Sequence, residues 1–259
     1  MGAQMLFLGL DLAWGKTNGT GGVALACEPG QPATVRDVQE ALGDDQSLLA
    51  WVDGWDAAEK HQGIIIGVDA PLRVPNETGR RPCEAQIGRR FARFQAGAHP
   101  ANRTLLRGYV RGEGLVERFA ERNIAHSPFL DAAEDGTRRQ VMEVFPHPAH
   151  VILFGLAKTL KYKAKPGRTC EMRWAVFAEY SRLLRGLQAH DPPLRLPEDW
   201  PPRDVSGMVG GALKRLEDGM DALTCAYVVY YYWWHGQSGG EVIGDMAQGY
   251  IVVPRLKEQ

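Results

Sequence analysis

The chain has little cysteine and no long apolar run, and each shortage removes a class of protein. Its four cysteines among 259 residues, Cys27, Cys83, Cys170 and Cys225, lie far apart. They show neither the paired spacing of a zinc site nor the framework of a secreted disulfide protein, so a reduced, cytoplasmic setting is expected. No hydrophobic stretch approaches the roughly 20 residues of a membrane span, which leaves no membrane partner. The N-terminus, Met1-Gly2-Ala3-Gln4-Met5, has no basic flank, and the apolar run behind it stops at Asp11. A first strand is expected there rather than a signal peptide. The glycines of segment 15–22 lack the G-x-x-x-x-G-K-[ST] spacing of a phosphate loop and precede a strand, not a helix.

What is present is a segregation of charge. Lys and Arg number 30 and Asp and Glu 31, for a net charge of −1. Yet residues 79–111 hold eight arginines against Glu84 alone, and residues 158–173 hold six basic residues against Glu171. The remainder of the chain therefore carries 16 basic and 29 acidic residues. Such polarity suits an anionic ligand gripped at one locality, and argues against a protein that coats long duplexes. The alternative is a pair of solvated helix faces, although these normally interleave acids with the bases.

Two segments repeat one theme. Leu6-Phe7-Leu8-Gly9-Leu10-Asp11 and Ile64-Ile65-Ile66-Gly67-Val68-Asp69 are unbroken apolar runs that end on an aspartate. Runs of this kind read as strands buried on both faces of a sheet. A carboxylate at the mouth of such a strand is costly to desolvate unless a cation or strong donors meet it. Each aspartate alone also reads as a turn residue capping a loop.

The remaining elements fit one mixed α/β domain over residues 1–259. A turn cluster over residues 14–21 leads into a second strand, Gly22 to Cys27, and a weaker third covers Ala33 to Val38. A helix follows Asp45, with Leu48, Leu49, Val52 and Trp55 on one face. The Arg-rich stretch has helical spacing around Ile87, Phe91 and Phe94 and again around Leu115 and Phe119, and reads as a helical insertion over about residues 79–135. Strand character resumes over Gln140–Phe145. Helices are expected over Pro148–Leu156, Glu171–Leu187 and Asp204–His235, the last closed by Gly236. The five prolines between Asp191 and Pro202 mark a loop, and Gly249–Pro254 reads as a terminal strand.

The segment Glu217-Asp218-Gly219-Met220-Asp221-Ala222 opens a largely apolar helix stretch expected to lie on the sheet. Asp218 and Asp221 are three apart and share a face. They could be ordinary helix N-terminal acids, favoured by the macrodipole. Joined with Asp11 and Asp69, however, they form a hard-oxygen set suited to Mg²⁺ or Mn²⁺, with no His/Cys cluster to compete. Two such ions about 4 Å apart could clamp an in-line phosphoryl displacement.

A first-strand Asp, an acid after the fourth strand and a C-terminal D-x-x-D-A helix resemble the RNase H-like superfamily, the helix motif being similar to its Holliday-junction resolvase branch. More closely, Gly9-Leu-Asp-Leu-Ala-Trp14, Gly67-Val-Asp-Ala-Pro-Leu72, Glu143-Val-Phe-Pro-His-Pro-Ala149, Tyr162-Lys163, Glu217-Asp-Gly-Met-Asp-Ala222 and Gly249-Tyr-Ile-Val-Val-Pro254 resemble the family called domain of unknown function 429, described as predicted RNase H-like nucleases. The resemblance implies a mixed five-stranded sheet flanked by helices, and a metal-dependent nuclease. Asp11 would bridge the metals, Asp69 would fill the fourth-strand position, and Asp218 and Asp221 would be the C-terminal ligands. Glu143 departs from the resolvase pattern. It could be a fifth acid in the cleft, a water-orienting base, or a structural partner of an arginine.

Arg89, Arg90, Arg93, Lys161 and Lys163 are the candidates for holding nucleic acid, expected to be short, structured or single-stranded. Lys161-Tyr162-Lys163 has the aromatic-plus-cation form of single-strand binders. His147 could donate to phosphate or shuttle a proton, or be a plain loop residue. Trp14, Trp233 and Trp234 read as packing residues. Two rival functions remain: a nucleotide-binding phosphotransferase of the sugar-kinase and actin branch, disfavoured because no glycine closely follows Asp11 or Asp69, and a non-catalytic nucleic-acid-binding module.

Overall fold

The structure, a computed structural model, describes residues 4–13, 19–28, 30–58, 61–130 and 138–256. Trp14, most of the expected turn over residues 14–21, and the end of the insertion lie outside the described residues.

Five long strands build the sheet: β1 (Gln4–Asp11), β2 (Thr20–Cys27), β3 (Ala33–Leu42), β4 (His61–Val68) and β6 (Arg139–Glu143). Two two-residue strands, β5 (Ala125–His126) and β7 (Leu194–Arg195), extend it to seven in the order β5-β6-β4-β1-β2-β3-β7. The β1, β4 and β6 strands run parallel, and β2 is antiparallel to both neighbours. This is a mixed sheet of parallel and antiparallel strands. The strand count exceeds five because edge pairing recruits residues on either side. Among these, Ala33 pairs with Leu194 inside the proline-rich stretch that reads as loop.

Burial on both faces explains the uninterrupted apolar runs. Phe7, Val23, Leu25, Ile65 and Met142 face one layer with helices α4 (Pro146–Phe154), α5 (Cys170–Gly186) and α6 (Gly210–His235). Their neighbours Leu6, Leu8, Ala24, Ile64, Ile66 and Val141 face α1 (Asp45–Ala58) and α3 (Arg111–Ala120). Trp233 joins the first layer, its ring 5.3 Å from Phe7, whereas Trp234 is 37% exposed.

Glycines bring α6 onto the sheet's main chain. A Cβ on Gly9 would stand 2.0 Å from the Ala222 carbonyl oxygen, one on Gly21 2.1 Å from that of Asp218, and one on Gly67 2.7 Å from that of Cys225. Gly9 and Gly67 are register partners on β1 and β4, and Gly21 pairs with Asp11. Only glycine admits so close a backbone approach. The trough fixes α6 beside the ends of β1 and β4.

The insertion contributes α2 (Pro82–Arg90), a short 3₁₀ turn over Ala92–Phe94, and α3, separated by irregular chain. A further hairpin, β8 (Gly240–Asp245) with β9 (Gly249–Pro254), packs against α2 and meets the main sheet through one parallel bridge from Val144 to Val252. The sequence marks β9 but not its partner. The last helix begins at Gly210 rather than Asp204. Among the described residues no helix is long and apolar enough to cross a membrane.

Candidate active site

Asp11 is the last residue of β1. Asp69 follows β4, and its amide donates to the Leu10 carbonyl over 2.8 Å, which continues the parallel ladder past the strand end. The two carboxylates therefore lie on adjacent strands at the floor of a cavity of about 480 Å³. One wall is the segment 95–99. The other is the basic loop between α4 and α5, which contributes Thr159, Lys161, Lys163, Lys165 and Arg168.

The floor is short of positive charge. Burial raises the Asp11 carboxyl well above its usual range; Lys163 opposes this, and Asp221, Asp69 and Asp218 reinforce it. Burial likewise raises Asp69 to about 7, again against Lys163.

Asp218 and Asp221 do not themselves line the cavity, although both act electrostatically on Asp11. Asp221 Oδ1 accepts from the Tyr162 hydroxyl at 2.6 Å and the Tyr180 hydroxyl at 3.1 Å, while Oδ2 lies 3.0 Å from Lys163 Nζ. Burial would raise this carboxyl, yet Lys163, His150 and Tyr162 together hold it below the usual range. Asp218 forms a short ion pair with Lys214, which also meets Glu217 at 2.8 Å. Both aspartates lie more than a turn inside α6, so the macrodipole of a helix start does not account for them. Tyr162 is turned inward to Asp221 and is fully buried, which removes it as a base-stacking platform.

Glu143 is held by an arginine. Arg81 donates from both terminal nitrogens to its two oxygens, at 2.8 and 2.6 Å, and the Leu72 amide adds a bond of 3.0 Å. Arg81 also meets Glu84 at 2.7 Å, and it is 2% exposed. Glu143 lines the same cavity as Asp11 and Asp69, and its contacts are those of a structural pair with Arg81.

The arginines of the insertion are largely spent on such contacts. Arg90 forms a two-pronged pair with Glu241 at 2.5 and 2.7 Å, Arg93 lies over the Phe94 ring, and Arg89 is exposed; none of the three lines the cavity. Lys161 and Lys163 do line it. His147 also faces it, and burial lowers its imidazole to about 3, so the ring is neutral. The sequence reading overlooked Arg81, Tyr180, His150 and Thr159. Arg81, Thr159, Lys165 and Arg168 lie in the two basic windows, whereas nothing local marks Tyr180 or His150.

A divalent ion fits part of this donor set. Among the described residues, no three Asp, Glu, His or Cys side chains gather closely enough to cage one. Mg²⁺, however, is commonly held by one or two carboxylates, with waters and substrate phosphate completing the shell. Asp11 and Asp69, hard oxygen donors whose burial outweighs the nearby Lys163 charge, meet that description. Asp218 and Asp221 are each paired with a lysine in this structure.

Comparison with known proteins places this geometry in context. The profile of a family described as "Protein of unknown function (DUF429)" matches residues 9–245. A search of curated proteins finds no match. Among solved structures, the yeast mitochondrial Holliday junction resolvase Ydc2 is similar at 10% identity over 85% of this chain and 75% of that one, with a TM-score of 0.34.

Proposed function

The chain belongs to the family described as "Protein of unknown function (DUF429)", and on that premise we propose that it is a metal-dependent nuclease, hydrolysing phosphodiester bonds of nucleic acid with Mg²⁺ or Mn²⁺. The observation that carries this reading is the facing of two charges across one cavity. Asp11 and Asp69 leave adjacent parallel strands at the floor, opposite a loop bearing Lys161, Lys163, Lys165 and Arg168. An acidic floor under a basic wall is what a phosphodiester needs, since the wall grips the phosphate and the floor serves the attack on it.

Asp11 and Asp69 would hold the ion, which when bound supplies Lewis-acid activation of water and neutralises phosphate charge. Lys161 and Lys165 reach the phosphate from the rim. Lys163, anchored by Asp221, keeps one positive charge fixed beside the two floor carboxylates. Arg81 immobilises Glu143 and thereby the turn after β4, through the Leu72 amide.

The test is Mn²⁺-dependent cleavage of single-stranded and branched oligonucleotides by the wild type and by Asp11→Asn and Asp69→Asn. Either substitution is expected to reduce cleavage about 10²-fold or more while leaving the circular dichroism spectrum intact. Cleavage by the variants at the wild-type rate overturns the assignment.

A further inference from the structure

We infer that the cavity takes one nucleotide unit at a time, rather than a run of strand or a duplex. The inference rests on the nuclease reading and narrows its substrate.

Size is the first argument. A volume of about 480 Å³ falls in the range of small-molecule sites, about 300–1,000 Å³. A sphere of that volume is about 10 Å across, the scale of one small molecule rather than of a polymer.

Closure is the second. The Thr159 amide donates to the Phe94 carbonyl over 2.8 Å, so main chain ties the basic loop to the base of the opposite wall. That wall is itself pinned. The Arg80 guanidinium donates to the Ala98 carbonyl at 3.1 Å, and the Ala101 amide meets the Glu84 carboxylate at 3.1 Å. A groove that tracks a strand must be open at both ends, whereas this cleft is bridged by its own backbone.

The third argument is the polar lining. Thr159 is 7% exposed, its hydroxyl has no hydrogen-bond partner among the described residues, and it lines the cavity. A buried hydroxyl left unpaired costs free energy that a phosphate or sugar oxygen would recover. Beside it, Lys161 and Lys165 are exposed and have no acidic partner among the described residues. The Phe145 and His147 rings, stacked at 5.4 Å and 7°, add a flat aromatic wall suited to a base.

The experiment measures the affinity of thymidine 5′-monophosphate, a dinucleotide and a twelve-nucleotide oligothymidylate. It uses the wild type in EDTA and Asp11→Asn with Mg²⁺, so that nothing is turned over. Affinity is expected to change less than about threefold from dinucleotide to dodecamer. The salt dependence should correspond to one or two phosphates, a log–log slope between about −0.7 and −1.4. Thr159→Val and Lys161→Ala should each weaken binding about tenfold without altering the circular dichroism spectrum. Binding of the monophosphate alone supports a single-unit cavity and identifies a free nucleotide as its ligand. Affinity that climbs tenfold or more with length, or a slope near −3, overturns the inference while leaving the nuclease reading intact. Length-independent binding without any cleavage sinks the nuclease reading and spares the inference. Failure of all three ligands to bind overturns the inference, and the nuclease reading is then judged by Mn²⁺-dependent cleavage alone.

Discussion

Lys163 Nζ stands 3.0 Å from Asp221 Oδ2, and the carboxylate it meets has no exposed surface. The lysine keeps 31% of its side-chain surface, so the partners differ in what they lose when separated. Asp221→Asn leaves an ammonium that can turn to water, and should cost about 2 kcal/mol. Lys163→Met strands a buried charge with only hydroxyl donors, and should cost about 4 kcal/mol. Urea denaturation of the two variants measures the difference; the reverse order would refute the asymmetry.

Arg81 joins two buried carboxylates. With Glu84 1% and Glu143 4% exposed, Arg81→Met would leave both uncompensated. A loss of about 4 kcal/mol or more is expected, with soluble yield falling in step. Adding Glu84→Gln and Glu143→Gln should restore part of the loss, because the charges that need Arg81 are then gone. A triple variant no more stable than Arg81→Met would contradict this account.

The glycines offer a paired test. Gly9→Ala would drive a Cβ to 2.0 Å from the Ala222 oxygen, a main-chain atom that cannot swing aside. The sheet and α6 must separate, at about 3 kcal/mol or more. Gly54, inside α1, has nothing within 4 Å of the same position, and Gly54→Ala should stabilise by about 0.5–1 kcal/mol. Thermal melts of the two should move in opposite directions.

His126 gives a pH test apart from the acidic floor. Burial, helped by Arg73, lowers its imidazole to about 4 from an ordinary value of 6.5, and Nε2 has no partner among the described residues. The unfolded chain therefore binds a proton here before the folded one does. The contribution is complete above about pH 6.5 and is lost as pH falls towards 4. His126→Leu, neutral throughout, should show a stability profile flatter by roughly 2 kcal/mol over that window. Parallel wild-type and variant profiles would remove His126 as the cause.

Much of this fold is legible because burial on two faces leaves a plain mark. The runs ending at Asp11 and Asp69 are apolar throughout, and helix α6 is apolar for four turns beyond Asp221. The start of α6 is not legible, since Gly210 and Gly211 are poor helix formers that tertiary packing holds in place. Strand β8, Gly-Glu-Val-Ile-Gly-Asp, has no apolar run, and its ladder is made by β9, a partner recognised only once folded. Charge counting finds the arginines but not their partners. Arg90 meets Glu241, 151 residues away, and does not line the cavity. The inward turn of Tyr162 is hidden for the same reason: the sequence shows an aromatic between two lysines, and only packing decides which way it faces.

The glycine trough divides the molecule by how freely it can change. Where Gly9, Gly21 and Gly67 hold helix backbone against strand backbone, no side chain intervenes that mutation could resize, so the positions of Asp11, Asp69 and Asp221 are inherited as a block. The two walls, segment 95–99 and the loop over 159–168, are held instead by side chains and single hydrogen bonds, as in Lys163 on Asp221 and Arg80 on the Ala98 carbonyl. Contacts of that kind can be rebuilt one residue at a time, so the walls can vary in sequence while the floor stays in place.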